Sequence, residues 1–375
     1  RTQVFTSFTV SQHKEDEMNL YDTLTMLEGI KAAKPAPSFL KDNYFPTAQG
    51  DIFTTEKVTV DFENDTTDKL APAVVKGAVP VQRDGYQTKE VTAPLIAPSM
   101  ALSIEQLNKR AFNESIVSGM TPEQREAQYL ADDLKKLDTM ITRTEEYMAA
   151  RTLLDNGYEV NQYVNGYGTA LAQPFKINFY GDGNAANQAV YTPAEKWTVD
   201  SETILSDIAA MCRTLKKKGL AATDVILGAN AGDIFLRNKV ILQLLDNRRL
   251  QLVAEAINPT EVAPGATYVG RINANGNAVD VYIYDASYTD AAGKEQYFFD
   301  AGKVVVTAKA VGRTAYGAVS QYEEGATETT TYAAARVPHV VINRRDGIRE
   351  LIDQSRPLVM PKLLNASISA TVIGG

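Results

Sequence analysis

Residues 121–157 have the sequence TPEQREAQYLADDLKKLDTMITRTEEYMAARTLLDNG and predict one long helix. Thr121 is a typical N-cap, Pro122 suits the first helical position, and Gln124 completes a capping box. Asn156, followed by glycine, is a stop signal, so the helix would be roughly 50 Å long. Apolar residues recur along it at helical spacing: Leu130, Leu134, Leu137, Ile141, Tyr147, Met148, Leu153 and Leu154. Three interpretations remain open at this point: an architectural spine, a core helix of a large domain and a short coiled coil.

The composition narrows the function classes. The chain has 375 residues and a net charge of −8, so it has room for more than one compact region and does not resemble a basic nucleic-acid binder. Cys212 is the single cysteine and excludes an intrachain disulfide, while His13 and His339 are too few for a histidine-based metal site. No run of 18 apolar residues predicts a membrane span. We therefore expect no metal, no cofactor and no membrane contact.

Carboxylate pairs are the nearest approach to a catalytic motif. Asp132 and Asp133 form one pair, and Glu145 and Glu146 form another. Neighbouring residues diverge by about 100° around a helix, and we expect both pairs on the exposed side of the long helix, where they would not share a substrate. Phosphate-binding, dinucleotide-binding and hydrolase motifs are absent from the sequence. The pattern predicts an α+β protein without catalytic residues, and the alternative is an enzyme whose site is assembled from residues around 181–233.

The first 50 residues do not resemble a self-contained domain. Prolines 35, 37 and 46 prevent one compact helix, and residues 38–46 are expected to form an extended piece. Apolar side chains are spaced along this segment and would serve as anchors on a neighbouring subunit: Leu24, Leu27, Ile30, Phe39, Leu40, Tyr44 and Phe45. The sequence therefore predicts an N-terminal arm laid across another surface.

Residues 51–98 predict a long β-hairpin. Residues 55–62 alternate between apolar and polar side chains, residues 84–85 offer an Asp-Gly turn, and alternation returns at 86–91. An isolated two-stranded hairpin is marginally stable in water, so these strands would need cover from another subunit; a surface meander is the alternative. The expected contact residues are Val58, Val60, Phe62, Leu70, Val74, Val75 and Tyr86.

The later chain predicts a compact α/β unit at 200–325 and a β-rich tail at 326–375. Several short motifs occur in a fixed order along the chain: TMLE at 25–28, FLKDNYFP at 39–46, FTTEKV at 53–58, LAP at 70–72, GYQTK at 85–89, YIY at 282–284, FFD at 298–300, RTAYG at 313–317 and SRPL at 355–358. Together, these motifs resemble the major capsid proteins of lambda-like tailed phages, the E-type capsid family. The similarity runs from about residue 18 to the end.

This resemblance implies an α+β fold of the Hong Kong 97 type. Its expected parts are an N-terminal arm at 1–50, an extended loop at 51–98, a peripheral domain at 99–199 and 326–375 with a spine helix at 121–156, and an axial domain at 200–325. It also implies a structural protein that self-assembles into hexamers and pentamers and forms the icosahedral head shell around the phage double-stranded DNA.

The same resemblance implies the chain's partners and location. The partners would be other copies of the chain, portal and scaffolding proteins during assembly, and a decoration protein, with the packaged DNA enclosed without specific recognition. The protein would belong to the virion capsid, after assembly in the host cytoplasm. An encapsulin-like cargo shell protein is the alternative that shares the fold.

Overall fold

The computed structural model describes residues 23, 26, 38–63, 86–108, 121–163, 174–179, 190–217, 219–243, 259–322, 328–345, 347–362 and 366–374. The α-helices in these ranges are α1 Leu40–Tyr44, α2 Ile104–Asn108, α3 Pro122–Asp155, α4 Ile204–Lys216 and α5 Ala229–Arg237. The strands up to the middle of the chain are β1 Lys57–Glu63, β2 Tyr86–Thr92, β3 Ser99–Ser103, β4 Gly157–Val160, β5 Phe175–Asn178, β6 Val190–Tyr191, β7 Asp224–Gly228, β8 Thr260–Ala263, β9 Ala266–Ala274 and β10 Asn277–Tyr284. The later strands are β11 Ser287–Thr289, β12 Glu295–Tyr297, β13 Lys303–Thr307, β14 Gly312–Tyr316, β15 Val319–Tyr322, β16 Thr329–Tyr332, β17 Val337–Asn343, β18 Ile348–Gln354, β19 Pro357–Pro361 and β20 Ser367–Thr371.

The long helix α3 confirms the prediction for residues 121–157, and we call it the spine helix. The Thr121 hydroxyl accepts a hydrogen bond from the backbone N–H of Gln124, and the Gln124 side chain accepts one from the N–H of Thr121, at 3.3 and 3.0 Å. The helix ends at Asn156, whose φ of 53° is left-handed. The stop therefore lies in the asparagine, while Gly157 already starts strand β4 against β5.

A seven-stranded sheet dominates the later half of the chain, in the order β6-β20-β13-β7-β10-β9-β8. Strands β7 and β10 run parallel, and most of the other neighbours are antiparallel. The helix α4 covers this sheet with a buried apolar side formed by Ile208, Met211 and Leu215. A tight Asn-Gly turn at Asn275 and Gly276 joins β9 to β10, and both residues have the positive φ that such a turn requires.

Strand pairing moves one segment out of its predicted domain. Residues 367–371 were expected in the β-rich tail of the peripheral domain, but β20 pairs with β13 inside the seven-stranded sheet. The short strand β6 joins the same sheet beside β20. Strand partners are distant in sequence, so the tail's own pattern could not assign it to this sheet.

The spine helix packs against β elements along its whole length. Its first half lies on the three-stranded sheet β17-β18-β3, where Leu130 and Leu137 meet Val340 and Leu351. Its second half contacts strand β19 and the helix α1 around a second apolar cluster, and it also contacts β20 of the seven-stranded sheet. The spine therefore connects the arm, the three-stranded sheet and the seven-stranded sheet.

Candidate functional site: the charged junction, the arm root and the hairpin

The end of the arm is a short helix that packs into the core of its own subunit. Phe39, Leu40, Tyr44 and Phe45 are all buried, and the last three are fully so. The expected extended piece at 38–46 is therefore wrong, since residues 40–44 form α1. The predicted role of these four side chains also needs correction, because contacts inside the subunit already cover them. We call residues 38–45 the arm root.

The carboxylate of Glu146 holds the arm root in place. It accepts hydrogen bonds from the backbone N–H groups of Phe39, Leu40 and Lys41 at 3.1, 2.8 and 3.0 Å, and from the hydroxyl of Tyr284 at 2.7 Å. The first N–H groups of a helix have no partner within the helix, so this distant side chain satisfies them. Glu146 explains why a helix of only five residues forms at this position.

The neighbouring carboxylate, Glu145, is the centre of a buried ion-pair network. The guanidinium of Arg336 donates to both of its oxygens, at 2.7 and 3.2 Å, and the Lys41 ammonium lies at 2.6 Å. The Tyr316 hydroxyl adds a bond of 3.1 Å. Burial works to raise the pKa of Glu145, but the charges of Arg336 and Lys41 prevail and lower it to about 2.

All three nitrogens of the Arg336 guanidinium donate hydrogen bonds. Its Nε donates to Asp138 at 2.8 Å, and its remaining donors engage Glu145, Thr142, Ser355 and the carbonyl of Ala335. An arginine has a planar fork of donors that suits such a convergent site. It thereby ties the segment before β17 to the spine helix.

We call this set of side chains the charged junction: Lys41, Glu145, Glu146, Tyr284, Tyr316 and Arg336. It corrects the expectation that Glu145 and Glu146 lie on the exposed side of the spine helix, since both are buried. The expectation holds for Asp132, which is exposed, and Asp133 is half-buried. A local signal existed, because Glu145 falls four residues after Ile141 and three before Met148, on the apolar stripe itself.

The charged junction holds separate segments of the subunit together. The oxygens of Glu145 and Glu146 accept bonds from the arm root and from three later segments of the chain, through Tyr284, Tyr316 and Arg336. Breaking such a buried pair is strongly destabilising, because a charge is left without its partner. Among the residues that the structure describes, no group of three potential metal ligands occurs. None of their helices is long and apolar enough to cross a membrane.

The hairpin β1–β2 confirms the predicted antiparallel pairing in its two described strands. Its register runs from Lys57 opposite Thr92 to Glu63 opposite Tyr86. Val58, one of the predicted contact residues, is fully buried in the subunit's own core at the base of the hairpin. For Val60, Phe62 and Tyr86 the structure gives the backbone pairing alone.

Several predicted contact residues lie outside the described residues. They are Leu24, Leu27 and Ile30 of the arm and Leu70, Val74 and Val75 of the loop. The neighbouring Thr23 and Met26 are described and buried; Met26 joins the cluster between the spine helix and the three-stranded sheet. Gln321 of β15 donates to the Thr23 hydroxyl at 3.2 Å.

The described chain combines an arm root, a two-stranded hairpin, a long spine helix, a three-stranded sheet and a seven-stranded sheet, in a fold of the Hong Kong 97 type. The structure is similar to that of the putative capsid protein of a prophage from E. coli CFT073, with a TM-score of 0.61 and 16% identity, covering 94% of this chain and 99% of that one. A phage-related protein from Bordetella bronchiseptica has a TM-score of 0.49 and 10% identity, covering 93% of this chain and 96% of that one. The mature capsid protein of bacteriophage PhiM1 has a TM-score of 0.48 and 10% identity, covering 99% and 91%.

The family follows from the sequence comparison. The family described as phage major capsid protein E matches residues 22–372. The chain therefore belongs to this family and is a structural protein of the virion capsid, built into homo-oligomeric capsomers. None of the curated proteins compared with the chain matches it.

Proposed function

We propose that this chain assembles into hexamers and pentamers that close an icosahedral head shell around the phage double-stranded DNA. The observation that carries the proposal is the hairpin β1–β2. Within the described chain, its two strands form hydrogen-bonded pairs with no strand but each other, and the base of the hairpin packs on the subunit's core at Val58. A two-stranded sheet of this kind needs cover to be stable, and a second copy of the chain supplies it in a shell.

The base of the hairpin is bonded to its own subunit, as expected for a loop that contacts a neighbouring subunit. The carbonyl of Thr55 accepts a bond from the N–H of Ala318 at 2.9 Å, and Glu56 pairs with Arg356 at 3.3 Å. Arg356 also donates to the carbonyl of Ala93, just after β2, at 3.4 Å. These contacts tie the base of the hairpin to Ala318, just after β14, and to Arg356, just before β19.

The proposed contacts with neighbouring subunits are divided between arm and loop. In the loop they are Val60, Phe62, Leu70, Val74, Val75 and Tyr86, and in the arm they are Leu24, Leu27 and Ile30. In this proposal the arm root binds its own subunit through the charged junction, and the residues that precede it contact a neighbouring subunit. Each large apolar side chain that becomes buried contributes roughly 1.5–3 kcal/mol.

The remaining partners follow from the same proposal. Portal and scaffolding proteins would take part during assembly in the host cytoplasm, and a decoration protein would bind the finished shell. The net charge of −8 supports enclosure of DNA without specific recognition. The charged junction supports a structural role without enzymatic activity, because hydrogen bonds and ion pairs within the subunit already occupy both of its carboxylates. Membership of the phage capsid family favours a phage head over an encapsulin-like cargo shell.

A loop deletion tests the proposal. Replacing residues 63–83 with a short Gly-Ser turn should abolish shells in negative-stain electron microscopy, while circular dichroism and the unfolding midpoint of the subunit stay near those of the parent. The matched control removes residues 1–17, which lie outside the match to the capsid family, and should still form shells. Normal particles from the loop deletion would overturn the proposal. If that variant does not fold, Leu70→Asp with Val74→Asp makes the same test without shortening the chain.

A further inference from the structure

Asp353 is a buried carboxyl group without a hydrogen-bond partner. It lies in β18, on the three-stranded sheet that packs against the spine helix, and none of its surface is exposed. Its backbone N–H donates to the carbonyl of Pro98 at 3.2 Å, but neither oxygen of its side chain receives a bond. A buried polar group that is left unpaired costs free energy, and an ionised one costs far more.

The charged groups that face Asp353 do not compensate a negative charge there. They are Arg336 from the segment before β17, and Asp138 and Glu145 from the spine helix. The donors of Arg336 are already directed to Asp138, Glu145 and their neighbours, as described above. Asp138 and Glu145 are carboxylates and would repel a negative charge on Asp353. The single cation, Arg336, is already bound to both of them.

We propose that Asp353 is a proton-binding site: its carboxyl is protonated in mildly acidic solution, and loss of this proton loosens the spine helix from the β17-β18-β3 sheet. This makes the subunit, and any shell built from it, sensitive to alkali. A proton suits the position better than a metal ion, because no three-ligand cluster surrounds it among the described residues. The proposal concerns the folded subunit and stands independently of how subunits contact each other.

The electrostatics give the direction of the effect. Burial raises the pKa of Asp353 to about 7; the charge of Arg336 and the nearby backbone N–H of Gln354 oppose the rise, and the charges of Asp138 and Glu145 add to it. The unfolded chain releases this proton near the ordinary value of 3.8, so between these two pKa values the folded state holds one proton more. The unfolding equilibrium therefore shifts about tenfold toward the unfolded state for each pH unit in that window, and the effect levels off above it.

The test compares the full chain with Asp353→Asn, which keeps the shape of the side chain and removes its charge. Denaturant unfolding is measured at several pH values from about 4 to 8.5. The ratio of the two unfolding constants should change by about 100-fold or more over that range, with the variant relatively more stable at the alkaline end. Asp132→Asn, which removes an exposed carboxylate from the spine helix, should change that ratio by less than about threefold.

Two outcomes would overturn the proposal. One is a ratio for Asp353→Asn that stays constant with pH, which would mean that the carboxyl is ionised throughout or equally protonated in both states. The other is failure of both Asp353→Asn and a second neutral variant, Asp353→Ser, to fold at neutral pH, because a neutral side chain is what the proposal requires there. An infrared band of a protonated carboxyl that is lost as the pH rises in the parent, and reduced in Asp353→Asn, would support it.

Discussion

The hydroxyl of Tyr44 donates a hydrogen bond of 2.9 Å to Oδ2 of Asp224, and so joins the arm root to strand β7 of the seven-stranded sheet. Both residues are fully buried. Burial raises the pKa of each group; the charge and hydrogen bond of Asp224 raise that of Tyr44 further, whereas the same bond opposes the rise at Asp224, whose Oδ1 has no hydrogen-bond partner. Tyr44 is therefore the main source of hydrogen bonding for a buried carboxyl group 180 residues away.

Removing this hydroxyl tests how strongly the arm root is held. Tyr44→Phe should lower the free energy of unfolding by about 1–3 kcal/mol, because a buried acceptor is left unsatisfied while the ring still fills its space. Tyr322→Phe is the control, since that side chain is 63% exposed, and it should change stability by less than about 0.5 kcal/mol. Equal effects from the two variants would show that the bond to Asp224 contributes little.

The acid sensitivity of the subunit should depend on Glu145. The pKa of Glu145 is lowered from 4.5 to about 2 in the folded state. Its contribution to the free energy of unfolding is therefore complete above pH 4.5, the pKa in the unfolded chain, and is lost as the pH falls toward 2. At neutral pH this is worth about 3 kcal/mol. Glu145→Gln should thus be clearly less stable than the parent at pH 7, and the gap in denaturant unfolding should narrow steadily below about pH 4.5. A gap that does not depend on pH would contradict the assignment.

The pair of Glu145 and Arg336 should behave as one unit. Glu145→Ala and Arg336→Ala should each cost about 3–5 kcal/mol, because each leaves a buried charge without its partner. The double variant should cost less than the sum by about 1–3 kcal/mol. The exposed pair of Lys57 and Glu90, 3.8 Å apart, is the matched control, and its double-mutant cycle should give at most about 1 kcal/mol.

Gly157 should not accept a side chain, although its φ is unremarkable. A Cβ at this position would lie 2.4 Å from the carbonyl oxygen of Ile177, where β4 pairs with β5. Gly157→Ala should cost about 1–3 kcal/mol through the displacement of the β5 backbone. Gly50→Ala, where nothing lies within 4 Å, should be neutral or slightly stabilising. Thermal unfolding of both variants tests this, and a Gly157→Ala variant as stable as the parent would show that the backbone of β5 can shift away from β4.

Features encoded within a few residues could be predicted from the sequence. The cap at Thr121, the left-handed stop at Asn156 and the turn at Asn275 all depend on contacts with near neighbours in the chain. The hairpin strands at 57–63 and 86–92 follow from alternation of side chains, and the order of motifs along the chain identified the capsid family. These signals are local, or are carried by the linear sequence itself, so the three-dimensional contacts were not needed to find them.

The tertiary structure decided which polar residues are buried and which segments meet. Glu146 binds backbone N–H groups more than 100 residues away, Glu145 binds Arg336 from 191 residues away, and β20 pairs with a strand 64 positions earlier. A glutamate on a helix is usually solvated, and its burial is stable here only because several distant donors converge on it. For the same reason the arm root, which looked like an extended anchor for a neighbour, folds as a helix on its own subunit: its capping group comes from the spine helix and not from its own sequence.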